Sequence, residues 1–294
     1  MLEHRKLENL QPYAHCGGMP DIYRRPSQLG APTRVEYYRA KETAIPGDGA
    51  ISDGAQFEFT ANAVITGFQM KTNLTQPADW DLGVQVVKDG RQHLFTDGRE
   101  PLRVSPASIA SGHDPWCRVW IPVDQGEIWK FDCQNNQVET TADYSLILRV
   151  ERFMEPPKVI PAYITETTFY QLGEDDMEAG ASSGAGMEFD FLRDGILSGL
   201  RAATNTSIVV HEILSGVELD ITMEGQLHLS MARQTQSPID CHELSTTSQP
   251  WEPMWYAVSQ HEKWQCFARN TAAVQKSFRL TAKVEELRLP WLRW

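Results

Sequence analysis

Histidines and acidic residues are the side chains of this chain that could bind a metal or move a proton. His93 and His228 stand 135 positions apart in two similar stretches, each shortly after an acidic residue, Asp89 or Glu224. A metal site needs three or four converging ligands, and each stretch offers one histidine. We therefore expect a structural role for both histidines, with no metal ligand and no cofactor.

Two pairs of glutamates also recur, Glu127 with Glu262 and Glu151 with Glu285. A glycosidase needs two carboxylates roughly 5–10 Å apart in one cleft, and nothing in the sequence brings two of these together. The serine-hydrolase, zinc-protease, phosphate-loop and dinucleotide motifs are missing from the sequence. The acidic run from 173 to 176 lacks the spacing of a calcium loop. We expect no catalytic residue and a protein that is not an enzyme.

The five cysteines, an odd number, have irregular spacing. A disulfide framework or a cysteine-bound metal would need regularly paired cysteines. Reduced and mostly buried thiols in a cytosolic folding environment are the better interpretation.

The net charge of −12 and the sequence pI near 5.1 disfavour binding to nucleic acid, which requires clustered Lys and Arg. No apolar run approaches the roughly 18 residues that cross a bilayer. The first ten residues carry scattered charges where a signal peptide has an apolar core, so we expect no secretion signal.

One tryptophan-rich stretch, PWCRVWIPVDQGEIWKFDCQN from Pro115 to Asn135, occurs twice. Its second copy is PWEPMWYAVSQHEKWQCFARN, from Pro250 to Asn270, and eight positions are identical, three of them tryptophan. The tryptophans indicate a repeated sandwich core, in which residues four apart on a strand share a face. A surface that stacks on sugar rings is the alternative. The repeat-core residues are Trp116, Trp120, Trp129, Trp251, Trp255 and Trp264.

The similarity extends on both sides of this stretch as short segments that alternate apolar and polar residues. Phe57-Glu58-Phe59 corresponds to Phe189-Asp190-Phe191, and Val84-Gln85-Val86 corresponds to Leu219-Asp220-Ile221. Such alternation is typical of half-buried strands. Each copy holds seven or eight of them, separated by turn residues. The sequence therefore predicts an all-β chain of two tandem, internally homologous β-sandwich domains, jelly-roll-like in strand number.

Five segments follow from the limits of the repeat. We expect an N-terminal arm at 1–33, a first sandwich at 34–153, a proline-rich connector at 154–164, a second sandwich at 165–287 and an aromatic tail at 288–294. The arm and tail carry aromatic and arginine side chains of the kind that interfaces favour. These interface candidates are Tyr13, Tyr23, Arg24, Arg25, Trp291 and Trp294.

Two fused sandwiches with an arm, an aromatic tail and no active-site motif form a layout that resembles the tandem β-sandwich or double jelly-roll proteins of virus particles. That group includes coat, cement and neck components. The resemblance implies a structural protein of the virion that assembles with itself and with other virion proteins. A carbohydrate- or surface-binding module is the alternative function.

Overall fold

A computed structural model describes residues 33–52, 54–74, 81–88, 92–109, 116–155, 164–183, 187–205, 215–223, 227–228, 231–232, 235–236, 238–245 and 251–288. These residues form two β-sandwiches in tandem. Ten strands precede residue 154 and eleven follow residue 163. The predicted all-β chain of two homologous sandwiches is confirmed. The predicted arm falls outside the described residues except for its last residue, Thr33, which begins the first strand.

The first sandwich consists of two sheets whose strands come from the first half of the chain. Its strands are β1 (Thr33–Ile45), β2 (Ala50–Ile51), β3 (Ala55–Glu58), β4 (Ala63–Thr72), β5 (Leu82–Lys88), β6 (Gln92–His93), β7 (Phe95–Thr96), β8 (Cys117–Val123), β9 (Ile128–Asn135) and β10 (Ala142–Phe153). One sheet has the order β1-β10-β4-β8, and the other has the order β2-β9-β5-β6 with β3 also paired to β9.

The second sandwich repeats this arrangement. Its strands are β11 (Ile164–Met177), β12 (Glu188–Asp190), β13 (Gly195–Thr204), β14 (Val217–Met223), β15 (Leu227–His228), β16 (Met231–Ala232), β17 (Thr235–Gln236), β18 (Ile239–Asp240), β19 (Glu252–Val258), β20 (Lys263–Asn270) and β21 (Lys276–Arg288). One sheet has the order β19-β13-β21-β11, and the other has the order β12-β20-β14-β15.

The pairs are nested in both sandwiches. The first strand pairs with the last, β1 with β10 and β11 with β21. In the first sandwich, this pair encloses β3 with β9, then β4 with β8, and finally β5 with β6. In the second sandwich, it encloses β12 with β20, then β13 with β19, and finally β14 with β15. This is a long hairpin folded over on itself, which is the jelly-roll arrangement.

The residues that recur in the sequence build the same local structures in both copies. The indole nitrogen of Trp129 donates to Glu127 at 2.6 Å, and that of Trp264 donates to Glu262 at 2.7 Å. The second oxygen of each glutamate accepts a backbone N–H across the turn before it. Each turn therefore positions a carboxylate that satisfies a buried indole, which explains why tryptophan and glutamate recur together.

A short turn follows the last small strand before the tryptophan-rich stretch in each sandwich. It is a 3-10 turn at Pro106–Ser108 in the first and one turn of helix, α1 (Cys241–Leu244), in the second. Asp240 caps α1, and Glu243 completes the capping box. The sequence did not predict a helix here because one capped turn is too short to show an apolar stripe.

The two sandwiches contact one another through a strand that crosses between them. Strand β7 belongs to the first half of the chain, yet it pairs in parallel with β11, with Phe95 opposite Phe169 and Thr96 opposite Tyr170. It thus extends a sheet of the second sandwich by one strand. The dipeptides Asp89-Gly90 and Glu224-Gly225, of a kind typical of hairpin turns, lie outside the described residues, between strands that do pair.

Candidate assembly surface

The outward side of β11 is buried against the first sandwich. Along this strand alternate residues point to opposite faces, so Tyr170 and Leu172 enter the core of the second sandwich while Phe169 joins the core of the first. The Phe169 ring lies 5.7 Å from the rings of both Phe68 and Phe95. This aromatic cluster forms an apolar contact between the two halves.

Thr167 connects the two sandwiches by hydrogen bonds. Its hydroxyl oxygen accepts the backbone N–H of Trp120 at 2.7 Å, and the same hydroxyl donates to the Glu285 carboxylate at 2.9 Å. Ser198 also donates to Glu285, at 3.2 Å. Burial raises the pKa of Glu285 above its ordinary value, although Lys283, Thr167 and Ser198 act in the opposite direction.

Two ion pairs cross the same junction. Lys88 binds Glu166, and both side chains are almost completely buried. Arg99, in the segment after β7, binds Glu188 of β12. Next to Arg99, Gly98 adopts a positive φ of 99°, and a Cβ placed there would lie 2.0 Å from the Asp190 carbonyl oxygen. The sandwiches therefore approach so closely here that only glycine fits.

The corresponding side of β1 is open. Positions on β1 correspond to those on β11 at an offset of 132, so Val35 and Tyr37 match Thr167 and Phe169. Val35 is 43% exposed and Tyr37 is 62% exposed, whereas Thr167 and Phe169 are 0% exposed. Equivalent faces of the two sandwiches thus differ because one is covered by the other half of the chain.

A row of four residues crosses each of these faces in the same register. Strand pairing places Tyr37 opposite Arg149 and Arg149 opposite Gly67. The same pairing in the second sandwich places Phe169 opposite Lys283 and Lys283 opposite Gly199. A tryptophan packs over each glycine, Trp116 over Gly67 and Trp251 over Gly199. We call these the open row (Tyr37, Arg149, Gly67 and Trp116) and the covered row (Phe169, Lys283, Gly199 and Trp251).

The tryptophans of the two rows have different surroundings. Trp251 donates its indole N–H to the Ile109 carbonyl of the first sandwich at 3.2 Å, and its ring lies 5.8 Å from Phe169. Lys283 lies over the same ring at 5.2 Å. Trp116 instead contacts Tyr37, with ring centroids 6.1 Å apart.

The six repeat tryptophans fall into three positions. Trp129 and Trp264 are buried in the two cores. Trp120 packs with Val64 and Phe153 in a separate small cluster, whereas its counterpart Trp255 is half-buried. The expectation that Trp116 and Trp120 share one core face differs from the structure. Trp116 precedes β8, and the register shifts between Trp116 and Ile121.

The candidates from the arm and the tail, namely Tyr13, Tyr23, Arg24, Arg25, Trp291 and Trp294, lie outside the described residues. In the described part of the chain, no group of three or more His, Cys, Asp and Glu side chains is placed to hold a metal ion. Burial lowers the pKa of His93. Its Nδ1 atom has no hydrogen-bond partner among the described residues.

A cleft of about 390 Å³ lies between the sandwiches and is lined by charged side chains. Arg99 and Arg279 lie in it, and both are already paired with acids, Glu188 and Asp175. A second cleft of about 270 Å³ holds His93, Thr168 and Glu286.

The sequence did not identify Val35, Tyr37, Thr167 and Phe169 as interface residues. The segments around them, VEYYR and TTFYQ, have the same alternation in both copies. One feature of the sequence could have indicated the interface. The outward positions of both strands include apolar side chains, which a strand with one solvated face does not require.

No protein-family model matches the chain, and no curated protein matches it. Solved structures that resemble it include capsid proteins of viruses. The STIV major capsid protein has a TM-score of 0.42 and 10% identity, with 88% of this chain and 98% of that one covered. The major capsid protein P2 of bacteriophage PM2 has a TM-score of 0.37 and 8% identity, with 88% and 99% covered.

PBCV-1 VP54 has a TM-score of 0.46 and 10% identity, with 94% of this chain and 100% of VP54 covered. Virion coat proteins are thus among the proteins that the chain resembles, as the layout of its sequence predicts. No helix in the described part of the chain is long and apolar enough to cross a membrane.

Proposed function

We propose that the protein is a non-enzymatic structural subunit of a virus particle, a capsid or capsid-associated component that assembles with itself and with other virion proteins. Its sandwich faces, the arm and the tail provide the contacts. It requires no cofactor, folds in the host cytoplasm and does not bind nucleic acid directly. The domain limits of 34–153 and 165–287 are part of this proposal.

One observation carries the proposal. A single chain already holds two copies of one sandwich, joined through Thr167, Phe169 and Trp251 of the second, while Val35 and Tyr37 of the first are exposed. A protein that works alone gains nothing from an exposed tyrosine beside a half-buried tryptophan, since exposed apolar patches favour association. When one copy of a repeated unit has a face in contact with its neighbour and the other copy has the same face exposed, the chain is suited to assembly from many copies.

Isolation of particles tests this function. Particles from cells that produce the protein would be separated on a density gradient, and their proteins identified by mass spectrometry. We expect the chain to band with particles and with other virion proteins at a constant ratio to them across the peak. A chain found only among unassembled proteins at the top of the gradient, in cells that make particles, would contradict the proposal.

The open row supports a second candidate function, carbohydrate binding. Tyr37 and Trp116 are neighbouring aromatic rings on an exposed face, tilted by 56° to each other, and aromatic faces can stack on sugar rings. A glycan array distinguishes the two functions. Binding that is lost in the Tyr37→Ala variant would favour a lectin.

A further inference from the structure

We infer that Lys88 and Glu166 form a covalent amide, an isopeptide bond, that joins the two sandwiches after the chain has folded. The ammonium group of Lys88 on β5 and the carboxylate of Glu166 on β11 are in contact across the junction. Glu286 on β21 supplies the second carboxyl group, which moves protons in the reaction. The bond forms within one chain, so the inference goes beyond the proposed assembly function and does not depend on it.

Little water reaches the contact between these two side chains. The side chains of Lys88 and Glu166 are each 6% exposed, and the lysine Nζ atom lies 5.4 Å from the centre of the Trp129 ring. A buried ion pair keeps two desolvated charges in the protein interior, which is costly even when they are paired. Conversion of the pair into a neutral amide removes both charges, and the low access of water protects the amide from hydrolysis.

The fold also holds the reacting groups together. Lys88 is the last residue of β5, and Glu166 is the third residue of β11, so both side chains extend from hydrogen-bonded strands. Groups that are held in contact in a suitable orientation react as if each were present at about 10⁵–10⁸ M. Condensation of an amine with a carboxylic acid is slow between free molecules in water, and this site therefore promotes it.

Glu286 is placed beside Glu166. The two residues lie directly opposite each other in the antiparallel pair of β11 and β21, so their side chains leave the same face with Cβ atoms about 4.5–5.5 Å apart. The Tyr170 hydroxyl donates to the Glu286 carboxylate at 2.6 Å and fixes its position. Glu286 is itself buried, yet it lines the cleft of about 270 Å³. It therefore connects the buried pair with a cleft through which a water molecule can leave.

The reaction is a loss of one water molecule. A proton passes from the Lys88 ammonium to the Glu166 carboxylate, and the neutral amine then attacks the carboxyl carbon. Glu286 takes the proton that the nitrogen loses as the C–N bond forms, and it passes this proton to the departing hydroxyl group as the C–O bond breaks. One amide and one water molecule result, Glu286 returns to its starting state, and the step needs no oxidant or reductant.

The equivalent positions of the repeat lack all three groups. Met223 occupies the place of the lysine, since each of these residues lies opposite the buried tryptophan of its own sandwich. Arg34 and Arg152, which face each other on β1 and β10, occupy the places of the two glutamates. A sandwich of this kind thus forms without the lysine and without either carboxyl group. In the two repeats the three groups occur together where the halves meet, as a bond between the halves requires.

The mass of the full-length protein tests the inference. Chains made by cell-free synthesis would be analysed at once and again after days in the folded state. We expect the first sample to have the full mass, because the chain folds with the ion pair, and the second to be lighter by one water molecule. Full mass in both samples would overturn the inference.

Tryptic digestion locates the bond. The linked lysine is no longer cleaved, so we expect a branched peptide that joins segment 72–91 to segment 159–193. Loss of water without this branched peptide, as in succinimide formation at an Asp-Gly step, would refute the isopeptide bond.

Two variants at Lys88 and one surface pair serve as controls. Lys88→Arg keeps a cation but forms no amide, and Lys88→Met carries the residue of the other copy, so both should keep the full mass. Lys263 and Glu188 also touch, at 3.0 Å, but the Lys263 side chain is 50% exposed, and we expect no branched peptide there. Loss of water that persists in both Lys88 variants, or a bond at Lys263 as abundant as that at Lys88, would contradict the inference.

The Glu286→Gln variant tests the second carboxyl group. Glutamine keeps an oxygen that can accept the Tyr170 hydroxyl, and circular dichroism verifies the fold. We expect the linked form to accumulate at least about a hundredfold more slowly. Glu285→Gln is the matched control, because Glu285 binds Thr167 on the opposite face of the same strand, and it should leave the rate unchanged. Equal rates in Glu286→Gln and the wild type would rule out the role given to Glu286.

Discussion

At the scale of single residues, the side chains that recur in both copies are of two kinds. Some make the same contacts in both sandwiches, and others make different contacts because only one copy is packed against the other sandwich. Asn135 and Asn270 are of the first kind, since each donates its side-chain amide to a backbone carbonyl at the end of its sandwich's first strand and to another in the loop before the last strand. Glu151 and Glu285 are of the second kind. Glu151 pairs with Arg149 at 2.5 Å, whereas Glu285 is enclosed at the junction and binds hydroxyl groups.

The Glu285→Gln variant tests the protonation of this carboxyl. Burial raises the folded-state pKa of Glu285 above the ordinary value of 4.5. Glu285 therefore makes its full contribution to stability below that value, and this contribution falls as the pH rises through the folded-state pKa. We expect the melting temperature of Glu285→Gln minus that of the wild type to increase over this interval and then to level off. A pH-independent difference would contradict the prediction.

The Trp264→Phe variant tests the role of the buried indole. It removes the hydrogen bond to Glu262 and leaves a small void in the second core, so we expect a loss of about 1–3 kcal/mol in the free energy of unfolding. Urea denaturation of the variant measures this loss. Trp255→Phe is the control, because Trp255 is half-buried and its loss in dilute solution should be below about 0.5 kcal/mol.

At the scale of elements, the sequence predicted where the strands lie much better than it predicted which elements pack against them. The Phe57-Glu58-Phe59 pattern and its counterpart Phe189-Asp190-Phe191 both predicted strand, and both contribute inward-facing phenylalanines. The segment Gly195–Thr204, GILSGLRAAT, could by itself be mistaken for a helix, yet it forms strand β13, as its partner in the first copy forms β4. Duplication made these assignments possible because each ambiguous segment could be compared with its equivalent.

The covered face of β11 could not be predicted in the same way. Burial of Thr167 and Phe169 depends on a neighbour that lies far away in the sequence, such as Phe95 of β7. Apolar and polar residues alternate in the same way along β1 and β11. This pattern shows which residues share a face of the strand, but it does not show what covers the outward face. The contact of β7 with β11 arises from the packing of the whole molecule.

The Gly98→Ala variant tests the closeness of the two sandwiches. A Cβ at Gly98 would lie 2.0 Å from the Asp190 carbonyl oxygen, so the strands on both sides must shift. Gly126 has a similar positive φ of 84° with nothing within 4 Å, which makes Gly126→Ala the matched control. Both variants place a Cβ on a backbone with positive φ, which costs about 1–2 kcal/mol. We expect Gly98→Ala to lose clearly more in urea denaturation and to be cut faster by protease. Equal losses would mean that the junction yields easily.

At the scale of the whole molecule, the two sandwiches behave as a joined pair. Phe169 of the second half fills the core of the first, β7 of the first half extends a sheet of the second, and Lys88 pairs with Glu166 between them. Domains joined only by a flexible linker would unfold separately. Contacts of this kind instead make each half a stabilising partner of the other, as a subunit interface does.

The buried pair of Lys88 and Glu166 provides the decisive test of this coupling. Lys88→Met leaves Glu166 buried without its cation, and loss of one partner of a buried pair costs about 3–5 kcal/mol. We expect calorimetry to show one transition for the wild type and an earlier, separate transition in Lys88→Met. The double variant Lys88→Met/Glu166→Leu should recover most of the loss, because no uncompensated charge remains.

Lys130→Met serves as the control, since Lys130 pairs with Asp132 on the surface with its side chain 51% exposed. Its loss should be below about 1 kcal/mol. If Lys88→Met and the double variant are equally destabilised, the packing of the lysine stem, rather than its charge, couples the sandwiches. If the wild type already shows two well-separated transitions, the two sandwiches unfold independently. The burial of the outward side of β11 would then contribute little to the stability of either sandwich.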